Sequence, residues 1–549
     1  MNKIKIFLIC VFLPIIAISQ SENEDKSFEL SKNLEIFSAV YRTLQTTYVD
    51  EIQPGDLIKT AIDAMLAKLD PYTNFFPESD MEDVKMQLLG KYGGIGAVIH
   101  QKGDKVYISE PYEGLPAYEA GLRAGDVILE INGMKAEGKT TNQVTEILRG
   151  QSGTDLSIKV ERDGKEFEVK FKRGEIKFPN VPYYGVVRNN TGYIKLNEFT
   201  QDAGNQVANA FRELKSRNNI GSLIIDLRGN GGGLLNEAVN IVNIFVDKGQ
   251  MIVATKGKLK ERDQNFKTQM QPLDVNIPIV VLVDNYSASA SEIVAGSLQD
   301  IDRAVIMGQR TFGKGLVQNV IPLLYNTQMK VTVSKYYIPS GRCIQAIDYS
   351  HRNKEGKAEK IPDSLRTAFK TKGGRTVYDG FGIEPDVNIE PKWASNIAIA
   401  IITKYLAFDF ATEFVKTHPA KPAFVSDFKI TDEIYQNFIT FLKDKDYSYK
   451  TDTEREIENL KREAEEEKYD KSTIDAIELL QQKIKEDKAD DLIKFQKDIK
   501  NILLSEIIVR YYNQKGRIEA LLSEDDEVQQ AVDLLHNTEK YKKILQGKK

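Results

Sequence analysis

Continuous apolar runs in the middle of the chain constrain its fold more than any other feature. The stretches "IGSLIIDLRG" and "IPIVVLVD" are apolar at nearly every central position, whereas a strand with one wet face would alternate. A helical pattern follows each run, "LLNEAVNIVNIFVD" after the first and "SEIVAGSLQD" after the second. Buried strands that alternate with helices indicate an α/β core with largely parallel pairing, and we assign residues 180–390 to it.

The segments on either side of this core have different patterns. Residues 89–174 contain short apolar runs such as "KVYIS" and "DVILEI" between glycine turns, which predicts a small β-rich module with two helices. Residues 27–88 are predicted to be helical, with one apolar face formed by Leu30, Leu34, Phe37, Val40, Tyr41 and Leu44. Residues 395–549 are helical and highly charged, which favours a solvated scaffold or an oligomerisation element.

The N-terminus has the layout of a secretory signal peptide. Lys3 and Lys5 precede an apolar run that ends at Ile18, and small residues around Ser19 offer a cleavage site. We therefore predict a signal peptide at residues 1–19 and an exported, periplasmic protein. Without cleavage the same run would attach the chain to the inner membrane. Cleavage would leave Cys343 as the one cysteine, so no internal disulfide is expected.

Composition excludes several classes of function. The net charge of the 549 residues is -5 with both signs mixed, so no basic footprint for nucleic acid is present. The four histidines, among them His100 and His351, lie far apart and show no metal-ligand spacing. We therefore predict no nucleic-acid partner and no metal site.

Two special turns follow the two buried strands. The first is "DLRGNGGGLL" and the second is "DNYSASASEIVAG". Ligands of open α/β sheets bind at the carboxyl ends of the strands, where these turns would gather. The glycine turn lacks the ending of a phosphate-binding P-loop. It suits an oxyanion hole or, equally, a tight turn packed against other backbone.

The second turn raises the question of a nucleophile. Serines at positions 287, 289 and 291 could cap the following helix, or one of them could attack a carbonyl if a base lies within reach. No histidine lies within fifty residues of them, and the nearest plausible base is Lys314 in "GQRTFGKGLVQ". A lysine with its ordinary pKa of about 10.4 holds its proton, so this role requires burial.

The β-rich module resembles a PDZ domain in its stretches "YGGIGAVI" and "GLRAGDVILEINGMKAEG". In PDZ domains a glycine-rich loop offers backbone N–H groups to the carboxylate of a peptide tail, which adds as a strand at the module's edge. The resemblance implies that Gly93, Gly94, Ile95 and Gly96 form this loop. A merely structural glycine turn is the alternative.

Together with the PDZ-like module, residues from about 30 to 390 resemble the carboxyl-terminal processing peptidases, also called tail-specific proteases. The similar motifs follow one another along the chain in the same order as in the family. They are "LDPYTNFF", "DLRGNGGG", "SASASEIVAGSLQD", "GQRTFGKGLVQ", "YYIPSGRCIQ" and "DGFGIEPDV". This resemblance implies a multidomain α+β protein with a ClpP/crotonase-like core, an inserted PDZ domain and helical segments at both ends. Its site roles would be nucleophile for Ser289, general base for Lys314, orienting residue for Gln318, and oxyanion donors for the amides of Gly232 and Ala290.

The resemblance also implies what the protein does. The expected function is that of a serine endopeptidase that selects exported proteins by a free, apolar C-terminal tail. The family usually has proline where this chain has Gly231, which leaves this loop more flexible. One alternative is a catalytically silent PDZ scaffold, and another is a Ser–His hydrolase that uses His100 or His351. A second copy of the chain or an adaptor protein could bind through the helical extension.

Overall fold

The computed structural model describes residues 7–80, 91–392 and 394–548. The chain divides into two compact units, one of residues 1–78 with 320–331 and one of residues 79–319 with 332–549. Three predicted segments extend outside the described residues. They are the start of the signal peptide (1–6), the end of the N-terminal helical segment (81–88) and the first residues of the PDZ module (89–90).

The first unit is mainly helical. Its helices are Phe7–Thr47 and Pro54–Leu66, and its strand Asn74–Phe76 pairs antiparallel with residues 328–330. The first helix begins at Phe7 rather than near residue 27, and the segment predicted to be helical also contains this strand. The expected apolar face of the helix is not covered within the described chain. The exposed side chains are Leu30, Leu34, Phe37, Val40 and Leu44. In the described part of the chain, no helix has both the length and the apolarity needed to cross a membrane.

A mostly parallel sheet forms the centre of the second unit. Among the described residues it has six strands, in the spatial order Tyr183–Val187, Thr191–Lys195, Ser222–Asp226, Ile279–Val283, Val305–Gly308 and Val387–Asn388. The first strand is antiparallel to the second, and all later neighbours are parallel. The strands predicted from the two apolar runs therefore lie side by side.

Both faces of this sheet are buried, which explains its continuous apolar runs. Alternate residues of a strand point to opposite faces. Ile279 and Val281 pack into one apolar cluster, whereas Val280 and Leu282 pack into another. The first cluster is covered by the helices Ala203–Asn218, Leu235–Asn243 and Ala290–Asp300. The second is covered by C-terminal helices, described below.

Antiparallel strands flank the core. Met251–Gly257 pairs with Gln264–Lys267 and with residues 334–337 of the strand Gln328–Tyr337. The strand Leu316–Pro322 also pairs with Gln328–Tyr337. Two small hairpins follow, built from Ile347–Arg352 with Ala358–Lys360 and from Ala368–Lys370 with Thr376–Tyr378.

The PDZ module has the predicted composition of strands and two helices. Its main sheet contains, in spatial order, Ala97–Lys102, Lys105–Pro111, Val127–Ile131, Asp155–Arg162 and Lys165–Lys172, with Met134–Lys135 beside Val127–Ile131. Its helices are Pro116–Glu119 and Thr141–Leu148, and a separate pair joins Lys91–Gly94 to Gly174–Lys177. Within the described chain, Ala97–Lys102 is an edge strand and therefore has one side open for a further strand.

The C-terminal extension is helical, as predicted. Its helices are Asn396–Thr403, Leu406–Thr417, Asp432–Leu442, Asp452–Glu466, Lys471–Ala489, Asp491–Lys494, Gln496–Leu522, Asp526–His536 and Thr538–Leu545. The last two close the second face of the core sheet, where Val528, Val532 and Leu535 pack against Ile224 and Val280. Part of the extension is thus core structure rather than a solvated scaffold.

This packing gives a testable prediction for two leucines of the extension. Leu535, 6% exposed, lies against the sheet, whereas Leu480, 46% exposed, lies on the helix Lys471–Ala489. We expect Leu535→Ala to cost about 2–5 kcal/mol of core stability and Leu480→Ala less than about 0.5 kcal/mol. Calorimetry of the unfolding of the core would measure both, and equal Tm values for the two variants would contradict the packing role.

Candidate functional site

The glycine turn and the serine turn meet at the carboxyl ends of neighbouring parallel strands. The strands are Ser222–Asp226 and Ile279–Val283. A Cβ atom added to Gly232 would lie 2.8 Å from Ser289 Cβ and 2.9 Å from Ala290 N. Since Gly232 has a φ of +100°, only glycine fits this close approach without strain. The structure therefore brings the predicted nucleophile and both predicted oxyanion donors together.

The three serines of the second turn have different surroundings. The Ser287 hydroxyl donates to Leu227 O and the Ser291 hydroxyl donates to Asn230 O, each at 2.9 Å. Both side chains are fully buried, and both hold the glycine turn in place. Ser289 is only half-buried. Of the three, it is the serine that is not fully buried.

Ser289 also has an unusual backbone conformation. Its φ is 56° and its ψ is -113°, immediately before the helix Ala290–Asp300. A residue with a side chain adopts this region at a cost of about 1–3 kcal/mol, and such strain clusters at functional sites. The turn presents the side chain beside the N-terminal end of the helix, where free N–H groups and the helix dipole favour negative charge.

A buried glutamate anchors the serine turn through hydrogen bonds. Glu292 Oε2 accepts hydrogen bonds from the backbone N–H of Ser289 at 2.8 Å and of Lys314 at 2.9 Å. Glu292 Oε1 accepts from Thr311 Oγ1 at 2.6 Å and from Gly313 N at 2.8 Å. Complete burial raises the pKa of Glu292 to about 7, although the four donors act in the opposite direction.

Ser289 and Lys314 are thus joined through one carboxylate oxygen. The Tyr336 hydroxyl gives a second link, since it lies 2.5 Å from Lys314 O and 3.1 Å from Ser289 O. Lys314 is half-buried in the loop before the strand Leu316–Pro322. The structure therefore ties the backbones of the predicted nucleophile and the predicted base to the same two side chains. On that strand, the Gln318 amide donates to Thr332 Oγ1 at 3.2 Å.

The predicted oxyanion donors differ in their present partners. Ala290 is the first residue of its helix, where backbone N–H groups have no partner within the helix. The Gly232 N–H, in contrast, donates to the side-chain oxygen of Asn230 at 2.9 Å. Asn230 is fully buried and its amide also donates to Leu196 O. In this structure the Gly232 amide points at its own loop.

Sequence reasoning did not identify Glu292 or Tyr336. Glu292 stands three residues after Ser289, the spacing of a helix capping box, and this pattern could have drawn attention to it. Tyr336 lies on a strand of a different sheet, and no local pattern connects it with the serine turn. Its role is visible only once the chain is folded.

The two histidines of the alternative hydrolase lie in other surroundings. His100 belongs to the PDZ edge strand, where its Nδ1 lies 2.6 Å from Ser109 Oγ and its ring stacks on Tyr405 at 3.9 Å. Burial first, and then the nearby cations Lys102 and Arg510, lower the pKa of His100 to about 4. His351 is exposed on a hairpin and contacts Asp348. Both side chains are therefore engaged with other partners.

The predicted tail-binding residues form a turn that leads into the PDZ edge strand. Gly93 and Gly94 end the strand Lys91–Gly94, and the buried Ile95 accepts a hydrogen bond from Ala117 N. Gly96 has a φ of +70°, and an added Cβ atom would lie 2.5 Å from the Leu115 side chain. Loop and open edge strand are thus adjacent, as a strand-adding peptide requires.

Comparisons with known proteins follow the same division of the chain. Residues 190–350 match Peptidase family S41, residues 107–162 match the PDZ domain family, and residues 397–535 match the probable PDZ-protease C-terminal helical domain. A carboxy-terminal-processing protease of Bartonella bacilliformis is 34% identical over 353 residues, which cover 63% of this chain and 81% of that protein. The chain belongs to the carboxy-terminal-processing proteases of family S41.

A second relative and one solved structure are also similar to the chain. A probable CtpA-like serine protease of Staphylococcus aureus is 34% identical over 314 residues, which cover 57% of this chain and 62% of that protein. A solved structure of the photosystem II D1 C-terminal processing protease is 26% identical, covers 65% of this chain and 92% of its own, and has a TM-score of 0.35. As a carboxy-terminal-processing protease, the chain is a serine protease with a PDZ domain. The predicted fold class is thereby confirmed.

The buried glutamate gives a prediction about stability and pH. Because the pKa of Glu292 in the folded protein, about 7, exceeds its ordinary value of 4.5, the folded state binds this proton more tightly. The resulting stability is fully present below pH 4.5 or so and is lost as pH rises through about 7. We expect the Tm of wild type, relative to Glu292→Gln, to fall across this interval.

The control is Glu384→Gln, which removes a half-exposed carboxylate that pairs with Arg310. Its Tm difference from wild type should stay constant over the same pH range. A constant difference for Glu292→Gln as well would contradict the raised pKa.

Proposed function

We propose that this serine protease is an endopeptidase that uses a Ser289–Lys314 dyad and selects exported proteins by an apolar C-terminal tail. Ser289 is the nucleophile and Lys314 is the general base. Gln318 orients Lys314, and the amides of Gly232 and Ala290 hold the oxyanion. Gly93, Gly94, Ile95 and Gly96 hold the tail carboxylate. The reaction needs no metal and no organic cofactor.

The observation that carries this proposal is the shared anchoring of Ser289 and Lys314. One oxygen of Glu292 accepts from both backbone N–H groups, and the Tyr336 hydroxyl contacts both carbonyls. Two turns that are distant in sequence are thereby held at one place. Such preorganisation is what nucleophile and base need, because misplacement by about 1 Å can cost about a hundredfold in rate.

The chemistry follows from these roles. Ser289 Oγ forms a bond to the carbonyl carbon of the substrate while its proton moves to the neutral amine of Lys314. The tetrahedral oxyanion is held by backbone N–H groups, and the C–N bond then breaks as Lys314 returns the proton to the leaving amine. Water attacks the acyl-enzyme in the same way and releases the acid. Burial favours the neutral form of a lysine, as a base of this kind requires.

Tail selection is supported by the edge strand of the PDZ domain. A peptide can extend the sheet at Ala97–Lys102 while its carboxylate reaches the loop that ends at Gly96. An uncharged, apolar tail suits the half-buried Ala97 and Ile99, which face the PDZ core. A charged tail would lose solvation beside these apolar side chains.

Export is supported by the sequence alone. The cationic start, the apolar run to Ile18 and the small residues near Ser19 fit a signal peptide at residues 1–19. The natural substrates would then be periplasmic proteins with free C-termini. Retention of the run would keep the enzyme attached to the inner membrane.

Removing either member of the dyad should abolish cleavage of an unstructured peptide with an apolar tail. We expect Ser289→Ala and Lys314→Ala each to lower kcat at least about a thousandfold, since such groups act as a unit. The matched controls are Ser350→Ala and Lys335→Ala, which change two exposed residues of the α/β domain outside the site. A third control is His351→Ala. Cleavage by Ser289→Ala at the wild-type rate would mean that a contaminating protease is responsible and that this chain is a catalytically silent PDZ scaffold. Loss in His351→Ala with an active Lys314→Ala would favour a Ser–His hydrolase.

The tail preference should depend on the PDZ loop. We expect kcat/KM to fall about tenfold or more when the same substrate ends in Asp-Asp, because a buried unpaired charge is costly. Gly96→Ala should remove this preference, since its Cβ would collide with Leu115. Gly103→Ala is the control, because Gly103 also has a positive φ but open space around it. Equal cleavage of both substrates by wild type would contradict tail selection.

A further inference from the structure

The oxyanion turn is anchored by an arginine at its start. Arg228 follows the buried strand Ser222–Asp226 and directly precedes the glycine turn. Its Nε donates to Asp226 Oδ1 at 3.0 Å and its Nη2 donates to Asp226 Oδ2 at 2.6 Å. This bidentate pair is the strong, directional kind of charged hydrogen bond, and it fixes the guanidinium plane.

The remaining donors of Arg228 go to the far end of the chain. Nη2 donates to Asp525 Oδ2 at 2.8 Å, and Nη1 donates to Asp525 Oδ1 at 3.3 Å and to Glu527 Oε2 at 3.1 Å. All five N–H groups of the arginine are therefore used, two by Asp226 and three by the C-terminal extension. The extension thus contacts the residue that begins the oxyanion turn.

We propose that Asp525 and Glu527 of the C-terminal extension are positioning residues that set the oxyanion turn through Arg228. This inference rests on the proposed function, because it assigns these carboxylates to the oxyanion step. They touch neither substrate nor Ser289. They act by fixing the backbone from which the Gly232 amide is presented.

The two carboxylates are themselves held in place. Asp525 caps the helix Asp526–His536 by accepting from the N–H groups of Glu527 and Val528. This helix is fixed on the core sheet by the burial of Val528 and Val532. The acidic pair is therefore a rigid part of the core, although it lies almost three hundred residues from Arg228 in sequence.

The charges of the cluster are complementary. Lys195 joins Arg228 as a second cation, 3.3 Å from Asp226 Oδ1, and its Nζ also donates to the Arg228 carbonyl at 2.7 Å. Burial alone would raise the pKa of Asp226, but Arg228 and Lys195 hold it well below its usual range. Burial raises the pKa of Glu527, and Arg228 opposes that rise. Loss of either C-terminal carboxylate would leave arginine N–H groups without their partners in a half-buried site.

The two residues that follow Arg228, Gly229 and Asn230, connect the glycine turn to the serine turn. Gly229 N donates to Asp284, and the Asn230 carbonyl accepts from Ala288 N and from the Ser291 hydroxyl. A shift of Arg228 would move the backbone of the glycine turn relative to Ser289. The effect should appear in the transition state, where the oxyanion forms, rather than in substrate binding.

The test uses the full-length protein with Asp525→Asn, Glu527→Gln and their combination. Asparagine is a good helix cap, so Asp525→Asn removes charge while the helix can still be capped. We expect the double variant to lose kcat by about tenfold or more while KM stays within about twofold, and each single variant to lose less. Affinity for a peptide aldehyde, which forms a tetrahedral oxyanion on Ser289, should fall by the same factor as kcat/KM.

The matched control is Glu454→Gln. Glu454 pairs with Lys488 in the same extension at 23% side-chain exposure, against 24% for Asp525, and contacts no part of the turn. It should leave kcat and aldehyde affinity unchanged at an equal shift in Tm. If the double variant fails to fold, Glu527→Gln alone decides, because Glu527 does not cap the helix.

The outcomes separate this inference from the proposed function. Suppose that wild type cleaves the substrate, that Ser289→Ala does not, and that the folded carboxylate variants keep the wild-type kcat. This result would overturn the positioning role alone. Loss of kcat together with an equal rise in KM would also overturn it, because that indicates general disruption. A wild type that shows no Ser289-dependent cleavage would overturn the proposed function itself.

Discussion

The site depends on one buried carboxylate. Glu292 is fully enclosed and accepts four hydrogen bonds, three from backbone amides and one from Thr311. Its two oxygens hold the serine turn, which follows the strand Ile279–Val283, and the lysine loop, which precedes the strand Leu316–Pro322. Leaving any of these buried N–H groups without an acceptor would cost about 1–3 kcal/mol. The strained conformation of Ser289 is tolerated because this network over-determines it.

The C-terminal extension is part of the same construction. A parallel sheet that is apolar on both faces needs a covering layer on each face. The helices Ala203–Asn218, Leu235–Asn243 and Ala290–Asp300 supply only one of these layers. Asp526–His536 and Thr538–Leu545 supply the other, with the Tyr541 hydroxyl 2.9 Å from Ile279 N. The charge pattern of residues 395–549 suggested a solvated scaffold, because most of these helices do have polar faces. The last two helices bury apolar residues against the sheet, whereas earlier helices such as Leu406–Thr417 and Asp432–Leu442 bury theirs in a separate apolar cluster.

A structural feature could be predicted from the sequence where the contacts that determine it are local. The buried strands were predictable because burial on both faces leaves a continuous apolar run, as in Ile279–Val283. The choice among the three serines was not, since all are small polar residues at the start of one helix, and only family resemblance selected Ser289. The structure separates them through Leu227 O and Asn230 O, about sixty residues away. Tyr336 and the Arg228–Asp525 contact were equally beyond local patterns.

The Gly232 amide shows how such a site can be both held and adjustable. In the proposed mechanism this N–H must leave Asn230 Oδ1 before it can hold an oxyanion. The peptide unit that carries it joins Gly231 to Gly232, so no Cβ on either side opposes its rotation. Its neighbours are fixed, since Gly232 O accepts from Phe199 N and Gly229 N donates to Asp284. Rotation is therefore confined to the one peptide between Gly231 and Gly232.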